Sequence, residues 1–112
     1  MTGRSSRHKG ARGEREIRDL LLDLGFVAKR DGRLNADISH NIPGLHIEVK
    51  RREKYDIQRW VEQAENDAPE GHEPVVAFRR NEQPWRVIVS ADFFFGLLAE
   101  KRWQAFNDRS TE

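Results

Sequence analysis

The chain has 112 residues, of which 35% are charged and 37% are hydrophobic. A chain of this length forms one compact domain, and its aromatic content of 9% favours a small hydrophobic core over disorder. The absence of cysteine excludes a disulfide framework and a thiolate zinc site. No segment approaches the roughly 18 apolar residues of a membrane span, and residues 2–12 lack the apolar stretch of a secretory signal. We therefore expect a soluble, cytoplasmic protein that does not bind membranes.

The net charge of +1 conceals an uneven distribution along the chain. Residues 1–33 carry a net charge of +4, whereas residues 57–112 carry −3. Such a chain can present a positive face to a polyanion such as nucleic acid, although a basic segment that only aids solubility gives the same charge pattern. The composition predicts a flexible basic arm over residues 1–9, a single domain over 10–107 and a polar tail over 108–112.

The first half of the chain predicts one helix and three strands. Apolar residues at helical spacing indicate a helix from about residue 11 to 24, with Gly25 suited to its C-terminal cap. Short strands are expected over residues 26–30 and 36–39. Residues 45–50 alternate strictly between apolar and polar, which indicates a third strand that forms a hairpin with the second.

The second half predicts a helix, two strands and a final helix. The helix covers about residues 56–66, and the strands cover 74–80 and 85–89 on either side of a turn. Ser90 is a suitable N-cap for the last helix. The order α-β-β-β-α-β-β-α predicts an α/β fold with a central mixed β-sheet flanked by helices.

Three residues carry the clearest chemical signal. Asp37 stands on the second strand, and Glu48 and Lys50 project from one face of the third. Neighbouring antiparallel strands bring facing side chains to about 5 Å, so the two carboxylates could share a divalent cation such as Mg²⁺. A lysine beside them could orient an attacking water and offset negative charge in the transition state. These are the parts of a metal-assisted phosphodiester hydrolase, although Glu48 and Lys50 could also form a solvated ion pair.

Glu14 stands in the first turn of the predicted first helix. A carboxylate there interacts favourably with the helix dipole, so Glu14 is either a capping acid or a third carboxylate at the metal site. His46 shares the face of Glu48 and is either a bystander or a contact to a phosphate or to the outer shell of the metal.

Several motifs in order resemble those of archaeal-type Holliday-junction resolvases, which belong to the PD-(D/E)XK nuclease superfamily and have relatives in phages. They extend over about residues 9–95 and comprise Lys9-Gly10 with Glu14-Arg15-Glu16, Gly25-Phe26 with Ala28 and Arg30, Asp37, Ile47-Glu48-Val49-Lys50, and residues 74–79 and 85–88.

The resemblance implies a restriction-endonuclease-like core and a homodimeric, Mg²⁺-dependent endonuclease that nicks four-way DNA junctions symmetrically, with Mn²⁺ as a substitute metal and no small-molecule cofactor. It assigns Asp37 and Glu48 as metal ligands and Glu14 and Lys50 as further catalytic residues. Gln63 is an additional candidate on the second helix. The resemblance, together with the basic run after the third strand, also indicates which residues contact DNA. These are Lys9, Arg12, Arg15, Arg30, Arg33, Arg51, Arg52 and Lys54.

The chain departs from the family pattern at two places. Ala36 replaces the proline that precedes the superfamily's aspartate, and residues 31–35 contain no serine or threonine where resolvases often have a hydroxyl-rich segment. The second departure concerns junction selectivity more than hydrolysis. A PD-(D/E)XK nuclease for duplex, flap or fork DNA and a non-catalytic DNA-binding module therefore remain as alternatives.

Overall fold

A computed structural model describes the backbone of residues 3–31 and 38–110 and the side chains of residues 10–31 and 38–102. Its elements occur in the predicted order α-β-β-β-α-β-β-α. They are α1 (Gly3–Asp23), β1 (Ala28–Arg30), β2 (Ile38–His40), β3 (Leu45–Arg51), α2 (Ile57–Asp67), β4 (Glu73–Arg79), β5 (Arg86–Ile88) and α3 (Ala91–Ser110).

Helix α1 begins earlier than the sequence predicted. It starts at Gly3 instead of near residue 11, so the backbone of residues 3–9, expected to form an arm, is helical. Extending an existing helix adds one hydrogen bond for each residue ordered, which explains why polar residues without apolar spacing can join it. At its other end, Gly25 donates to Leu22 O at 2.9 Å and Phe26 to Leu21 O at 3.0 Å. With a φ of 93° at Gly25, this is the predicted glycine cap.

The strands form two sheets in the described residues. One contains β3, β4 and β5, with β3 parallel to β4 and β4 antiparallel to β5, which confirms a mixed sheet. The other pairs β2 with β1, from Ala28 opposite His40 to Arg30 opposite Ile38. The predicted hairpin between β2 and β3 is therefore wrong. The chain leaves β2 through a turn, and Gly44 O accepts a hydrogen bond from Glu73 N–H at 2.7 Å, which brings the start of β3 to β4 instead.

The two faces of β3 meet different helices. Ile47 and Val49 point towards α1 and join Ile17, Ala28, Ile38, Val75 and Ala77 in one buried cluster. The other face of the sheet carries Val76 and Phe78, which pack against Trp60 and Ala64 of α2. Because Glu48 pairs in register with Val76 and Lys50 with Phe78, both charged side chains lie on the α2 face. Helices thus cover both sides of the sheet, as predicted.

Helix α3 starts at the predicted cap. Ser90 Oγ accepts a hydrogen bond from Phe93 N–H at 3.2 Å, and the helix extends to Ser110, into the segment predicted as a polar tail. Within the described residues, none of the helices has the length and apolar character that crossing a membrane requires.

Candidate active site

Glu48 and Lys50 occupy adjacent positions on the same buried face of β3. Glu48 has no exposed surface, and Lys50 is 8% exposed. Burial of charged groups costs free energy unless partners compensate them, so two charges on one interior face indicate a site and not a solvated ion pair. The predicted alternation of the strand is confirmed, and the interpretation of this pair as a solvent-exposed contact does not hold.

Two polar residues hold this pair in place. Lys50 Nζ donates a hydrogen bond to Gln63 Oε1 at 2.8 Å, which connects β3 to α2. His46 Nε2 lies 3.1 Å from Glu48 Oε1, and since a carboxylate only accepts hydrogen bonds, the imidazole is the donor. Both the ammonium and the carboxylate are therefore oriented by neighbours, one from the adjacent helix and one from the same strand.

Glu14 and Arg30 form a second polar group, on the α1 side of the domain. Arg30 Nε donates to Glu14 Oε2 at 2.7 Å, and the Glu14 side chain is almost entirely buried. Helix α1 packs against the Val49 face of β3, where a methyl group at Gly13 would lie 3.3 Å from Val49 Cγ1. The carboxylate of Glu14 thus serves as an ion-pair partner of β1 and not as an exposed helix cap.

Asp37 and Arg33 lie outside the described residues, as do Ala36 and the rest of the loop over residues 32–37. In the part of the chain that is described, no three His, Asp or Glu side chains converge to form a complete metal site. The described part of the site suits a hard cation, because the buried carboxylate of Glu48 supplies the kind of oxygen ligand that Mg²⁺ prefers.

The residues expected to contact DNA differ in exposure. Arg12, Arg15 and Lys54 are exposed, and Arg52 is half-buried with its Nη1 donating to Arg51 O at 3.1 Å. The side chain of Lys9 lies outside the described set.

Arg51 belongs to a partly buried ion-pair network that the sequence did not reveal. Its side chain is 11% exposed, and its Nε lies 3.4 Å from Glu16 Oε2. The other oxygen of Glu16 accepts from Arg79 Nη2, and the Arg79 guanidinium also lies over the ring of Trp85. Arg51 and Arg79 lie opposite each other in the parallel pairing of β3 with β4. A prediction of the register between these two strands would therefore have identified the two arginines as neighbours. Their shared carboxylate connects α1 to the ends of two strands.

The sequence model of a family described as "Phage putative PDDEXK endonuclease" matches residues 5–111. The chain belongs to this family. The family name denotes the acidic and lysine signature that Glu48-Val49-Lys50 carries on β3, so the protein is a metal-dependent endonuclease of the PD-(D/E)XK type.

A search of curated proteins finds no significant match. Among solved structures, Hjc from Archaeoglobus fulgidus, a Holliday junction resolvase from an archaeal hyperthermophile, is similar to this chain. The two sequences are 27% identical, the match covers 72% of each chain, and the TM-score is 0.49. Junction resolution is the described activity of that archaeal protein.

Proposed function

We propose that this member of the PDDEXK family is a Mg²⁺-dependent DNA endonuclease that resolves four-way junctions by symmetric nicks. The observation that carries the proposal is the pair formed by Glu48 and Lys50, buried on one face of β3 and oriented by polar neighbours. A nuclease needs an oxygen ligand for its cation and a fixed positive charge at the phosphate, and these two residues are suited to those roles.

Lys50 acts on the attacking water and on the phosphate. Its contact with Gln63 fixes the direction in which the ammonium points, and a positioned ammonium stabilises the negative charge that builds up as water adds to phosphorus. The attacking water loses a proton as its oxygen bonds to phosphorus and the bond to the 3′ oxygen breaks, and the leaving 3′ oxygen takes up a proton. The products are a 5′ phosphate and a 3′ hydroxyl.

Asp37 and Glu48 are the proposed ligands of Mg²⁺, with Mn²⁺ as a substitute. The cation would supply Lewis acidity at the phosphate and lower the pKa of water. His46 holds one oxygen of Glu48, so the orientation of this ligand does not depend on the cation alone. Glu14 and Arg30 form an ion pair on the α1 side of the domain, which we assign to the same site by their positions in the family motifs alone.

The preference for four-way junctions rests on the order of motifs along the chain. The segments around Glu14, Arg30, Asp37 and Lys50 follow the pattern of the resolvases described above. A junction has approximate twofold symmetry, so a homodimer with two such sites would nick opposite strands symmetrically. The exposed basic residues Arg12, Arg15 and Lys54 supply candidate phosphate contacts.

The test compares a labelled four-way junction with a linear duplex of the same sequence in Mg²⁺. We expect paired nicks in the junction and little cutting of the duplex. Glu48→Ala and Asp37→Ala should each lower the cleavage rate by at least about a hundredfold, because each removes a proposed metal ligand.

Glu62→Ala is the matched control, since this carboxylate is exposed on α2 and accepts a hydrogen bond from the exposed Gln58 on the same helix. Undiminished cleavage by both ligand variants contradicts the assignment of the site. Equal cleavage of junction and duplex contradicts the junction preference and favours a general duplex nuclease.

A further inference from the structure

Arg80 is an exposed cation that is held by an aromatic ring. Its Cζ atom lies 4.1 Å from the centre of the Tyr55 ring, and none of the ion pairs between described residues includes it. An exposed arginine ordinarily changes between many rotamers, and a cation–π contact at this distance restricts that freedom. The contact with the ring does not use the N–H groups of the guanidinium, which can therefore donate to a ligand.

The Tyr55 ring is itself fixed by two buried rings. Its centre lies 5.1 Å from that of Phe78 and 5.8 Å from that of Trp60, and both contacts are edge-to-face. Phe78 belongs to β4 and Trp60 to α2, and both are part of the buried cluster between the sheet and that helix. The ring that holds Arg80 is therefore attached to the hydrophobic core.

Backbone contacts on either side of Arg80 fix the chain where β4 ends. Arg79 O accepts a hydrogen bond from Arg52 N–H at 3.1 Å, and Asn81 N–H donates to Glu53 Oε2 at 3.0 Å. Both partners belong to the segment that follows β3. The segments after the two central strands are thus joined, and the backbone that carries Arg80 has a defined position.

Arg80 lies on the same side of the sheet as Lys50. Lys50 is opposite Phe78 in the parallel pairing, and Tyr55 packs against the Phe78 ring on that side. Strands lie about 4.8 Å apart and rise about 3.3 Å per residue, so the backbones of Lys50 and Arg80 are separated by roughly 8 Å. Consecutive phosphates of one DNA strand are separated by a comparable distance.

The two neighbouring arginines are engaged elsewhere. Arg51 and Arg79 share the carboxylate of Glu16, which belongs to α1 on the opposite face of the sheet. A cation in an ion pair has to give up part of that contact before it binds a phosphate, because both anions use the same donors. Arg80 has no such contact to lose among the described residues, so it is better suited to bind a phosphate than either neighbour.

We propose that Arg80 binds the phosphate next to the one that is cut, and that Tyr55 is the positioning residue for its guanidinium. Arginine binds phosphate through charge-assisted hydrogen bonds, and a side chain restricted beforehand loses less entropy when the contact forms. Arg80 thereby places the strand so that the phosphate to be cut meets Lys50. The inference rests on the proposed nuclease function and adds a substrate contact that the sequence motifs did not include.

Binding of a labelled four-way junction in Ca²⁺, measured by fluorescence anisotropy, tests the contact without cleavage. We expect Arg80→Ala to weaken binding by about threefold to tenfold and to reduce the slope of log affinity against log salt by about one. Arg102→Ala is the matched control, since Arg102 is an exposed arginine in the second half of α3. Equal losses of affinity in the two variants overturn the proposal, and so does a wild-type chain that does not bind DNA.

A junction with one neutral linkage tests which phosphate Arg80 contacts. A methylphosphonate replaces a charged oxygen by a methyl group, and it is introduced at one linkage at a time near the branch point. At the contacted linkage it should weaken binding by the wild type as much as Arg80→Ala does, and it should not weaken the variant further. Independent effects of substitution and modification at every linkage overturn the contact. Cleavage of the unmodified junction in Mg²⁺ locates the cut, and coupling at a linkage that is not adjacent to it contradicts the proposed position.

Substitutions of Tyr55 separate positioning from packing. Tyr55→Leu removes the ring and should lose most of the affinity that Arg80→Ala loses, whereas Tyr55→Phe keeps the ring and should bind like the wild type. In the Arg80→Ala background, Tyr55→Leu should cause no further loss. Urea denaturation verifies that each variant is folded. Tyr55→Leu without effect, or with an equal effect in both backgrounds, contradicts the positioning role.

The inference and the proposed function can fail separately. A junction that is bound with the expected coupling but is not cut in Mg²⁺ keeps the phosphate contact of Arg80 and removes the nuclease activity. Junction cleavage without coupling between Arg80 and any linkage keeps the nuclease and removes the contact.

Discussion

An amide on a different element helps to orient Lys50. Gln63 accepts the hydrogen bond from its ammonium across the boundary between α2 and β3, at a distance of 2.8 Å. The sequence suggested Gln63 only as an additional candidate, because an exposed helix glutamine has the same local pattern. Its role becomes visible once α2 is packed on the face of β3 that carries Lys50.

Replacing Gln63 should therefore affect catalysis more than substrate binding. Gln63→Ala removes this acceptor and weakens the restraint on the direction of the ammonium, so we expect kcat to fall by roughly tenfold to a hundredfold with little change in KM. Single-turnover kinetics with saturating enzyme provide the measurement. Gln58→Ala, an exposed glutamine on the same helix, is the control. Equal effects of both substitutions would contradict a specific role for Gln63.

His40 makes stability depend on pH. Burial lowers its pKa below the ordinary 6.5, repulsion from His46 and His72 lowers it further, and a hydrogen bond with the Leu45 backbone opposes the change. Its Nδ1 accepts the Ile42 N–H at 3.0 Å, which requires an unprotonated nitrogen. Because the folded state binds the proton less readily, the unfolded chain gains protons first as the pH falls below about 6.5.

Stability should thus decrease as the pH is lowered from about 6.5 towards the lower folded pKa, and His40→Gln should reduce this dependence. Urea unfolding at a series of pH values between 7.5 and about 5 measures the effect. An unchanged pH profile in the variant would mean that other groups account for the dependence.

At the scale of elements, α1 and β3 approach each other at Gly13. A methyl group on this residue would lie 2.9 Å from Arg51 Cβ and 3.3 Å from Val49 Cγ1, so helix and strand would have to separate. Gly10 belongs to the same helix, yet a methyl group there would meet no atom of the described residues within 4 Å. The two glycines therefore differ in how closely described residues of other elements pack against them.

Alanine substitutions at these two positions should have opposite effects. Gly13→Ala should reduce the free energy of unfolding by about 1–3 kcal/mol, because overpacking outweighs the gain in helix propensity. Gly10→Ala should leave stability unchanged or raise it by up to about 1 kcal/mol. Urea denaturation of both variants gives the comparison, and a stabilised Gly13→Ala protein would contradict the close packing of α1 on β3.

Local sequence patterns predicted the strands but not all of their pairing partners. The alternation of residues 45–50 correctly predicted β3 and the shared face of Glu48 and Lys50, because side-chain direction follows from backbone geometry alone. The partner of β2 was predicted wrongly, since β2 pairs with β1 in the described residues. Pairing depends on where the chain turns, and here the contact between Gly44 and Glu73 brings β3 to β4.

At the scale of the whole molecule, the basic residues divide into two kinds. Arg12 and Arg15 are exposed on α1, whereas Arg51 is held inside by Glu16. Only exposed cations can release counterions from a DNA backbone on binding. The charge asymmetry of the sequence predicted a basic surface, but it could not separate these groups.

Arg15→Ala should therefore weaken DNA binding by roughly threefold to tenfold and reduce the slope of log affinity against log salt by about one. Fluorescence anisotropy at several salt concentrations, in Ca²⁺ to prevent cleavage, is the measurement. Arg86→Ala is the matched control, because Arg86 is exposed on β5 and was not predicted to contact DNA. An equal loss of affinity in both variants would indicate a general charge effect without a defined binding face.

The amino-acid sequence by itself determined the order of the elements, the caps at Gly25 and Ser90, the mixed character of the sheet and the face shared by Glu48 and Lys50. These properties follow from interactions between residues near each other in the chain, or from periodicity within one element. Only the tertiary structure decided that Gln63 meets Lys50, that Glu14 pairs with Arg30 and that Arg51 pairs with Glu16. Each of these contacts joins residues from different elements, and their energies depend on packing directions that no local pattern contains.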